Sequence, residues 1–353
     1  MDLSFYGLAF SGALLAMLLI TPLVRRIALK TGFMDVPKSE AHKQQSRPVA
    51  LGGGAAAMLG FAAAGLGGVL LLALAPSLRS GLNFSFCVSR MIWLAAAGVG
   101  AGLIGLCDDI RAMKALPKFA GQFAVALVAV ELGGARASLF LPFPWLVTAV
   151  SVLWFMFIMN AVNFFDNMDG LASGAVAIAM IFFTLISMFN GQLIVGGFTA
   201  ACAGVAGGFW CFNRSPATIY LGDSGSHFLG FLTALASVFV TYFNRDGSGS
   251  MFQVAAPLVI LGVIIIDAAT VCVIRTVHGR PFWIGDNNHI SHRFVALGMS
   301  RARAVNCVHL LSLAFGCGAL ALIWGDLRTT AVILAQTLVL SAFVLYIQFG
   351  ARK

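Results

Sequence analysis

The amino-acid sequence predicts an all-α membrane protein, a polytopic bundle of about 11 transmembrane helices. Hydrophobic residues make up 60% of the 353 positions and charged residues only 10%, whereas a soluble domain carries roughly a quarter charged residues. The apolar residues also gather in runs close to the ~20 residues that a helix needs to cross a bilayer. We therefore interpret residues 1–353 as a single integral-membrane domain.

Eleven apolar runs are candidate membrane-spanning helices. In chain order they cover residues 5–24, 51–75, 91–107, 119–132, 143–159, 171–189, 193–212, 227–243, 252–274, 304–323 and 329–349. Polar breaks at Asn190-Gly191 and Gly325-Asp326 are turn signals between neighbouring runs.

The charges around the first run predict the orientation of the bundle. Asp2 precedes this run and Arg25, Arg26 and Lys30 follow it, which is opposite to the charge order of a cleaved signal peptide. We expect the run to be retained with the N-terminus outside and the C-terminus in the cytoplasm. Alternating loops then hold 17 Lys and Arg inside and five outside, as the positive-inside rule requires. This topology explains the net charge of +9, and no nucleic-acid partner is expected.

Six aspartates fall on the same predicted cytoplasmic side, against its basic trend. They are Asp108, Asp109, Asp166, Asp169, Asp223 and Asp286. In residues 160–170, Asn160, Asn163, Asp166 and Asp169 recur every three residues and form one polar stripe if the preceding helix continues. Such oxygen-rich stretches indicate a hard cation or a polar substrate, and a solvated helix end with an N-capping Asp is the alternative. The sequence thus predicts an active site on the cytoplasmic face.

Two further acidic segments point to phosphate or metal chemistry. The adjacent carboxylates of Asp108 and Asp109 repel each other, which favours a bound cation, although a solvated pair at the membrane boundary is the alternative. Asp223 lies between Gly222 and Gly225, which let the backbone approach a ligand closely. The next helix should offer free N–H groups to a phosphate at its N-terminus, although the same residues also form ordinary turns.

Two basic loops complete the predicted face. Residues 275–303 are rich in His and Arg and contain no cysteine, which favours an anion-binding loop over a metal site. The first loop contributes His42, Lys43 and Arg47 ahead of the glycines at 52–54, whose small size permits close helix contact.

Five ordered motifs between about Arg47 and Arg293 resemble the polyprenyl-phosphate N-acetylhexosamine-1-phosphate transferase family. They are Arg-Pro-x-x-Leu-Gly-Gly from Arg47, Asp-Asp from Asp108 with Lys-x-x-x-Gln from Lys118, Asn-Ala-x-Asn-x-x-Asp-x-x-Asp-Gly from Asn160, Asn-x-x-Pro-Ala-x-x-Tyr-x-Gly-Asp-x-Gly-Ser from Asn213, and Gly-Arg-x-Phe-x-x-x-Asp-x-x-His-x-x-His-Arg from Gly279. The sister branch that makes the peptidoglycan lipid precursor has a triple-histidine loop, which this sequence lacks. Ser291 replaces the middle histidine of the closer branch's His-x-His-His.

The resemblance implies transfer of a sugar 1-phosphate, with GlcNAc-1-phosphate expected, from a UDP-sugar to undecaprenyl phosphate. The products are an undecaprenyl-diphosphate sugar and UMP, and the cofactor is Mg²⁺, with Mn²⁺ as the alternative. This is the first membrane step of a cell-envelope polysaccharide such as the O-antigen of lipopolysaccharide, in the bacterial inner membrane. A homodimer is left open.

The resemblance also assigns roles to individual residues. It implies that Asp223 and Asn163 bind Mg²⁺ and that Asp108, Asp109 and Asp166 take part in catalysis. The nucleotide would stack its uracil on Tyr220 and be oriented by Asp166, Asp169 and Asn213. The residues implied to contact phosphate or sugar are Lys118, Arg280, His289, His292 and Arg293. Asp267 also matches a family position, and we expect it to be structural and paired, because an unpaired charge at membrane depth is costly.

Two other functions are alternatives to this one. A transporter or channel would place ionisable residues near the bilayer midplane, and Asp267 is the only residue that favours this function. A CDP-alcohol phosphotransferase would carry a clustered Asp-Gly-x-x-Ala-Arg pattern, which is absent from the sequence.

Overall fold

Thirteen α-helices account for most of the part of the chain that the computed structural model describes, residues 3–35, 48–74, 84–137, 141–240, 242 and 251–350. They are α1 Leu3–Thr31, α2 Gly53–Leu74, α3 Phe84–Ile110, α4 Ala115–Leu127, α5 Pro144–Phe165, α6 Leu171–Phe189, α7 Leu193–Asn213, α8 Gly222–Phe239, α9 Ala256–Ile260, α10 Gly262–Val277, α11 Ile290–Ala296, α12 Arg301–Trp324 and α13 Leu327–Gly350. The predicted contributions of His42, Lys43 and Arg47 lie outside the described residues.

The remaining regular structure is short. Strands β1 (Met34–Asp35) and β2 (Val49–Ala50) pair antiparallel, and Ala50 also forms a parallel bridge with Ile219. A π-helical turn, Val128–Leu132, extends α4, and a 3-10 turn, Met251–Ala255, precedes α9.

The predicted all-α membrane bundle is confirmed. Within the described ranges, nine helices are long and apolar enough to cross a membrane, and the count is ten if the helices on either side of the 66° bend before Gly262 form one span. The predicted run 227–243 does not qualify, because α8 begins at Gly222 and its first turns contain Asp223, Ser224, Ser226 and His227, which lower its mean hydropathy. The placement of the two termini relative to the membrane stays a prediction.

Helix α8 forms the centre of the bundle. Its residues from Ser224 to Ser237 are buried, and it packs against α2, α3, α5, α6 and α7. The N-terminus of α8 therefore meets the C-terminal ends of α3 and α5 at one end of the bundle. This arrangement brings segments that are far apart in the sequence into one site.

The predicted close approach at the glycines of the first loop is confirmed. The N–H groups of Gly53 and Gly54 donate to the carbonyl oxygens of Tyr220 (3.0 Å) and Leu221 (3.1 Å). A Cβ at Gly54 would lie 2.2 Å from the Ser224 Oγ, which is closer than atoms can pack. The start of α2 is thus held directly against the segment that leads into α8.

The predicted polar stripe along residues 160–170 is only half correct. Asn160 and Asn163 lie in α5, which ends at Phe165, whereas Asp166 has φ −81° and ψ 52° and caps the helix end. Asp169 lies in the following turn, where Gly170 adopts a left-handed φ of 75° that favours glycine and lets α6 begin. The turn stops the helical periodicity before it reaches the two acids.

Candidate active site

Lys118 joins two carboxylates from different helices. Its Nζ donates to Asp108 Oδ2 at 2.6 Å and to Asp223 Oδ2 at 2.5 Å. The other oxygen of Asp108 accepts the backbone N–H of Met113 at 2.5 Å. A cation between two acids offsets their mutual repulsion, so Lys118 holds the ends of α3, α4 and α8 together.

Both oxygens of Asp223 have partners. Asn163 Nδ2 donates to Asp223 Oδ1 at 2.9 Å and also to Ser226 Oγ at 2.9 Å. Burial would raise the pKa of Asp223, but the positive charge of Lys118, which donates to Asp223 Oδ2, outweighs this effect and holds that pKa well below its usual range. Asp223 is therefore an anion at neutral pH.

Asp109 caps α8 and does not face outward with Asp108. Its two oxygens accept the backbone N–H groups of Asp223 (2.8 Å) and Ser224 (3.0 Å). Gly222 has a left-handed φ of 70°, and a Cβ there would lie 2.7 Å from Asp109 Oδ2. The prediction that these N–H groups are free for a phosphate is wrong, because a carboxylate already occupies the positive end of the helix.

The backbone N–H of Asp166 donates to Asn163 O at 3.2 Å, but its carboxylate has no hydrogen-bond or ion-pair partner among the described residues. Burial, followed by the negative charges of Asp223, Asp109 and Asp169, raises the pKa of Asp166 well above its usual value. An unpaired acid surrounded by other acids is the electrostatic environment that a cation would relieve. No three His, Cys, Asp or Glu side chains of the described ranges converge as a complete metal cluster.

Two of the predicted nucleotide-orienting residues bind the protein itself. Asp169 Oδ2 accepts the backbone N–H of Ala217 at 2.9 Å. Asn213 is 2% exposed, accepts from Gly170 N (3.1 Å), and donates to Ile219 O (3.0 Å). The predicted direct contact of Asn213 with the nucleotide therefore does not match its burial, and Asn213 instead fixes the 214–221 loop to the acidic turn.

Tyr220 lies at the end of this loop with its side chain half-buried. Its backbone N–H donates to Ala50 O at 2.9 Å, and its carbonyl oxygen accepts from Gly53 N at 3.0 Å. The loop backbone is thereby fixed at Tyr220. Stacking of the ring on a base stays a prediction.

A cationic cavity of about 330 Å³ lies beside α10 and the loop that follows it. Its lining consists of Ile274, Arg275, His278, Arg280, Asp286, Asn288 and Arg293. Three arginines with one acid make it suitable for an anion. The predicted phosphate or sugar contacts Arg280 and Arg293 thus meet in one space.

Arg275 organises the wall of this cavity. The side chain is 1% exposed, with Nη2 donating to Asp286 Oδ1 (3.0 Å) and Nη1 to Phe282 O (2.7 Å). Its guanidinium lies 5.1 Å from the ring of Phe164, the residue after Asn163. Burial would raise the pKa of Asp286, but its hydrogen bond with Arg275 lowers it below the usual value. Sequence reasoning missed Arg275 because a basic residue at the end of a membrane run is ordinary.

The histidine motif is divided between two environments. His289 is 3% exposed, and its Nδ1 lies 2.7 Å from Asp267 Oδ2, so the predicted contact of His289 with phosphate or sugar does not match its position. The predicted structural role of Asp267 is confirmed, since its other oxygen accepts from Ile290 N (2.7 Å) and Gln348 Nε2 (2.9 Å). Burial and the neighbouring His289 lower the pKa of His292 to about 4, which leaves a neutral imidazole at pH 7.

The pairing of Asp267 removes the only residue that favoured a transporter.

Sequence reasoning missed two other polar residues, Asn167 and His227. The available signal was their spacing, because Asn167 adjoins Asp166 and His227 lies one helical turn after Asp223.

Comparisons with known proteins agree with the motifs. The family model described as glycosyl transferase family 4 matches residues 91–241. The chain is 30% identical over 346 residues to the probable undecaprenyl-phosphate N-acetylglucosaminyl 1-phosphate transferase of Bacillus subtilis strain 168, covering 96% of this chain and 88% of that protein. It is 31% identical to the decaprenyl-phosphate N-acetylglucosaminephosphotransferase of Mycolicibacterium smegmatis, with coverages of 93% and 85%.

A relative from the sister branch matches less of the chain. The phospho-N-acetylmuramoyl-pentapeptide-transferase of Thermoanaerobacter sp. strain X514 is 32% identical over 190 residues, which cover 49% of this chain and 60% of that protein. The similarity to the two N-acetylglucosamine-phosphate transferases therefore extends over far more of the sequence.

Proposed function

The chain belongs to glycosyl transferase family 4, and from that premise we propose that it transfers GlcNAc-1-phosphate from UDP-GlcNAc to undecaprenyl phosphate. The Lys118 ammonium between Asp108 and Asp223, at the end of an apolar bundle, is the observation that carries this proposal. It puts one fixed cation and an ionised acid where a membrane-held phosphate can reach them. The names of the two most extensively matched relatives given above support the lipid acceptor and the sugar.

The reaction is a single displacement at phosphorus. An oxygen of the acceptor phosphate attacks the sugar-bearing phosphorus, and the bond from that phosphorus to the bridging oxygen of the diphosphate breaks. UMP leaves with the bridging oxygen, and both phosphates of the new lipid diphosphate stay ionised. A phosphate monoester has its second pKa near 6, so the acceptor already has an unprotonated oxygen at pH 7 and needs no general base.

Each charged group of the protein then has a positioning role. Lys118 attracts the acceptor phosphate, and Asp108 holds the Lys118 ammonium in place. Asp109 fixes the first turn of α8 and so the direction of the Asp223 carboxylate. A bare carboxylate beside a phosphate would repel it, and the acids therefore act through the cations between them.

The donor set around Asp166 fits a divalent cation. Asp166 is an unpaired carboxylate whose pKa is raised by burial and then by its acidic neighbours, and Mg²⁺ prefers a few carboxylates together with substrate phosphates and water. We propose that Asp223 and the amide oxygen of Asn163 hold Mg²⁺, as the sequence predicts, with Asp166 as a further carboxylate ligand, and that Mn²⁺ can replace it. When bound, the cation offsets charge on the diphosphate as UMP leaves.

The donor sugar nucleotide is bound by Tyr220 and by residues of the cationic cavity. The ring of Tyr220 receives the uracil, while Arg280 and Arg293 bind phosphate or sugar oxygens from the cavity side. Asp169 and Asn213 keep the 214–221 loop in place for the nucleotide. His292, neutral at pH 7, supplies a hydrogen-bonding imidazole without adding charge.

The apolar helices and the matched relatives together make this a polytopic membrane protein. We extend the proposal to the bacterial inner membrane, with the site on the cytoplasmic face and the product used as the first lipid intermediate of a cell-envelope polysaccharide such as O-antigen. The 17 to five distribution of basic residues supports that orientation.

The test is release of UMP by the purified protein. It is incubated with undecaprenyl phosphate, Mg²⁺ and, in turn, UDP-GlcNAc, UDP-GalNAc and a UDP-6-deoxy-N-acetyl sugar. We expect UMP from UDP-GlcNAc only when acceptor and Mg²⁺ are both present, and a loss of orders of magnitude in Asp223→Asn, which keeps the side-chain shape. Release of UMP from none of the donors would contradict the proposal.

A further inference from the structure

A second layer of polar side chains lies one helical turn deeper in the bundle than the candidate site. Its members, the lower layer, are Gln122 on α4, Asn160 on α5 and His227 on α8. The upper layer consists of Lys118, Asn163 and Asp223 on the same three helices. On each helix the lower-layer residue and the upper-layer residue are three or four positions apart, so the lower residue lies one helical turn behind the upper one.

The lower layer is also connected by hydrogen bonds, with Gln122 at its centre. Gln122 Nε2 lies 2.8 Å from His227 Nε2, and the amides of Gln122 and Asn160 exchange hydrogen bonds of 2.7 and 3.2 Å. His227 Nδ1 lies 2.7 Å from the backbone oxygen of Asp223, which links the two layers. Gln122 and His227 are fully buried.

These contacts allow only one arrangement of protons. A carbonyl oxygen only accepts, so His227 Nδ1 carries the hydrogen and Nε2 accepts one from Gln122 Nε2. The second N–H of Gln122 then goes to Asn160 Oδ1, and Asn160 Nδ2 donates to Gln122 Oε1 and to Met156 O at 2.7 Å. Each of these N–H groups has an acceptor, and any slip between the helices would leave a buried polar group without a partner.

We infer that the lower layer sets the register of α4, α5 and α8, so that Lys118 Nζ and Asn163 Nδ2 both reach the Asp223 carboxylate. Gln122, Asn160 and His227 are positioning residues, and they act through the upper layer without touching substrate. The functional consequence of this inference rests on the proposed transferase activity. A helix is stiff along one turn, so a shift that breaks the lower bonds also moves the upper ones, and a displacement of about 1 Å at a reacting group costs up to roughly a hundred-fold in rate.

The test compares this layer with another buried polar bond between α5 and α8. Ser237 on α8 accepts from Trp154 Nε1 on α5 at 2.8 Å, farther from the site, so Ser237→Ala is the matched control. The variants are His227→Leu, Gln122→Leu and the milder His227→Gln, whose amide can still face Gln122. For each we measure the thermal midpoint, kcat, KM for UDP-GlcNAc, and the rate at which an acetylating reagent labels Lys118, whose side chain is 17% exposed.

We expect His227→Leu and Gln122→Leu to lower kcat by roughly ten-fold or more with KM changed less, and to speed labelling of Lys118 several-fold as its ion pairs loosen. His227→Gln should show smaller changes in kcat and in the labelling rate than His227→Leu. Ser237→Ala should lower the thermal midpoint and leave kcat and labelling unchanged. Unchanged kcat and labelling in the layer variants, or equal changes in Ser237→Ala, would overturn the inference. If the unmodified protein releases no UMP, the proposed function fails, while the labelling rates still decide whether the lower layer positions Lys118.

Discussion

Ser291 Oγ donates a hydrogen bond of 2.6 Å to Asn167 Oδ1, and Ser291 is fully buried. Asn167 follows Asp166 in the turn after α5 and donates in turn to Phe164 O at 2.9 Å. The bond therefore ties α11, which carries His292 and Arg293, to the turn that carries the unpaired acid. Ser291 stands where the motif of the resembled family has its middle histidine.

The Ser291–Asn167 bond should act as one unit in donor binding. Ser291→Ala leaves Asn167 Oδ1 without its donor, and the loss of such a partly buried hydrogen bond costs about 0.5–1.5 kcal/mol. We expect KM for UDP-GlcNAc to rise several-fold in Ser291→Ala and in Asn167→Ala, and the double variant to be no worse than either single one. Steady-state kinetics of this double-mutant cycle measure the coupling.

A control for this cycle is Ser312→Ala, which removes a buried hydroxyl whose one hydrogen bond among the described residues goes to Val308 O within its own helix. It should leave KM unchanged. Strictly additive effects of the Ser291 and Asn167 changes would show that the two side chains act independently.

Asp166→Asn should lower activity and raise stability. The pKa of Asp166 is raised in the folded protein, so the folded state holds this proton more tightly than the unfolded state, and stability falls as pH rises above the unfolded value near 4. The Asp166→Asn variant has no carboxyl group to ionise at this position, so it does not lose stability in this way as the pH rises. Without divalent cations we expect it to melt at a higher temperature than the unmodified protein at pH 8, with a smaller difference at pH 5.

Thermal unfolding in detergent with a chelator, at both pH values, measures this effect. Mg²⁺ should raise the melting temperature of the unmodified protein more than that of Asp166→Asn, because the cation offsets the repulsion among the acids. Asp326→Asn is a suitable control, since Asp326 is fully exposed and remote from the acids. A variant that is less stable than the unmodified protein at pH 8 would contradict an unpaired Asp166.

The residue types of the site could be predicted from sequence, whereas their division of labour could not. Asp108, Lys118 and Asp223 stand at ends of apolar runs, where polar side chains are conspicuous, and the fold brings them together. Asp109 accepts from the backbone N–H of Asp223, 114 residues later in the chain, and no local pattern reveals such a long-range contact. Adjacent acids in the sequence therefore have different functions.

Two errors have local physical causes. The three-residue spacing from Asn160 to Asp169 fits a helix, but the helix ends at Phe165 and the backbone turns at Asp166, where ψ is 52°. His289 looks like a loop histidine, yet Asp267 draws it into the bundle because a buried carboxylate requires partners. In each case a tertiary contact or a backbone turn overrides the local pattern.

Tyr220 should contribute through its ring. Because its backbone is fixed by Ala50 and Gly53, Tyr220→Phe should keep most of the nucleotide affinity, whereas Tyr220→Ala should lose about 1–3 kcal/mol if a base stacks there. Equilibrium binding of UMP to the purified variants measures the difference. Equal losses in the two variants would assign the contact to the hydroxyl instead.

Asp108→Asn should be severely impaired at neutral pH and partly recover as pH rises. The change removes one of the two carboxylates that hold Lys118 Nζ, so the acceptor is less well placed. Full ionisation of the acceptor phosphate above its second pKa near 6 strengthens its attraction to Lys118 and its nucleophilicity. A kcat/KM profile from pH 6 to 9 tests this, and a flat profile would contradict it.

The fate of the β-phosphate tests the central claim most directly. UDP-GlcNAc labelled with ³²P at that phosphate is incubated with the purified protein, Mg²⁺ and undecaprenyl phosphate, and the lipid and aqueous phases are counted. The account predicts that the label enters the lipid in equal amount to the sugar, with unlabelled UMP released and no UMP formed without acceptor. Label that stays in aqueous UDP while the sugar enters the lipid, or a stoichiometric burst of UMP without acceptor, would contradict direct transfer of a sugar phosphate.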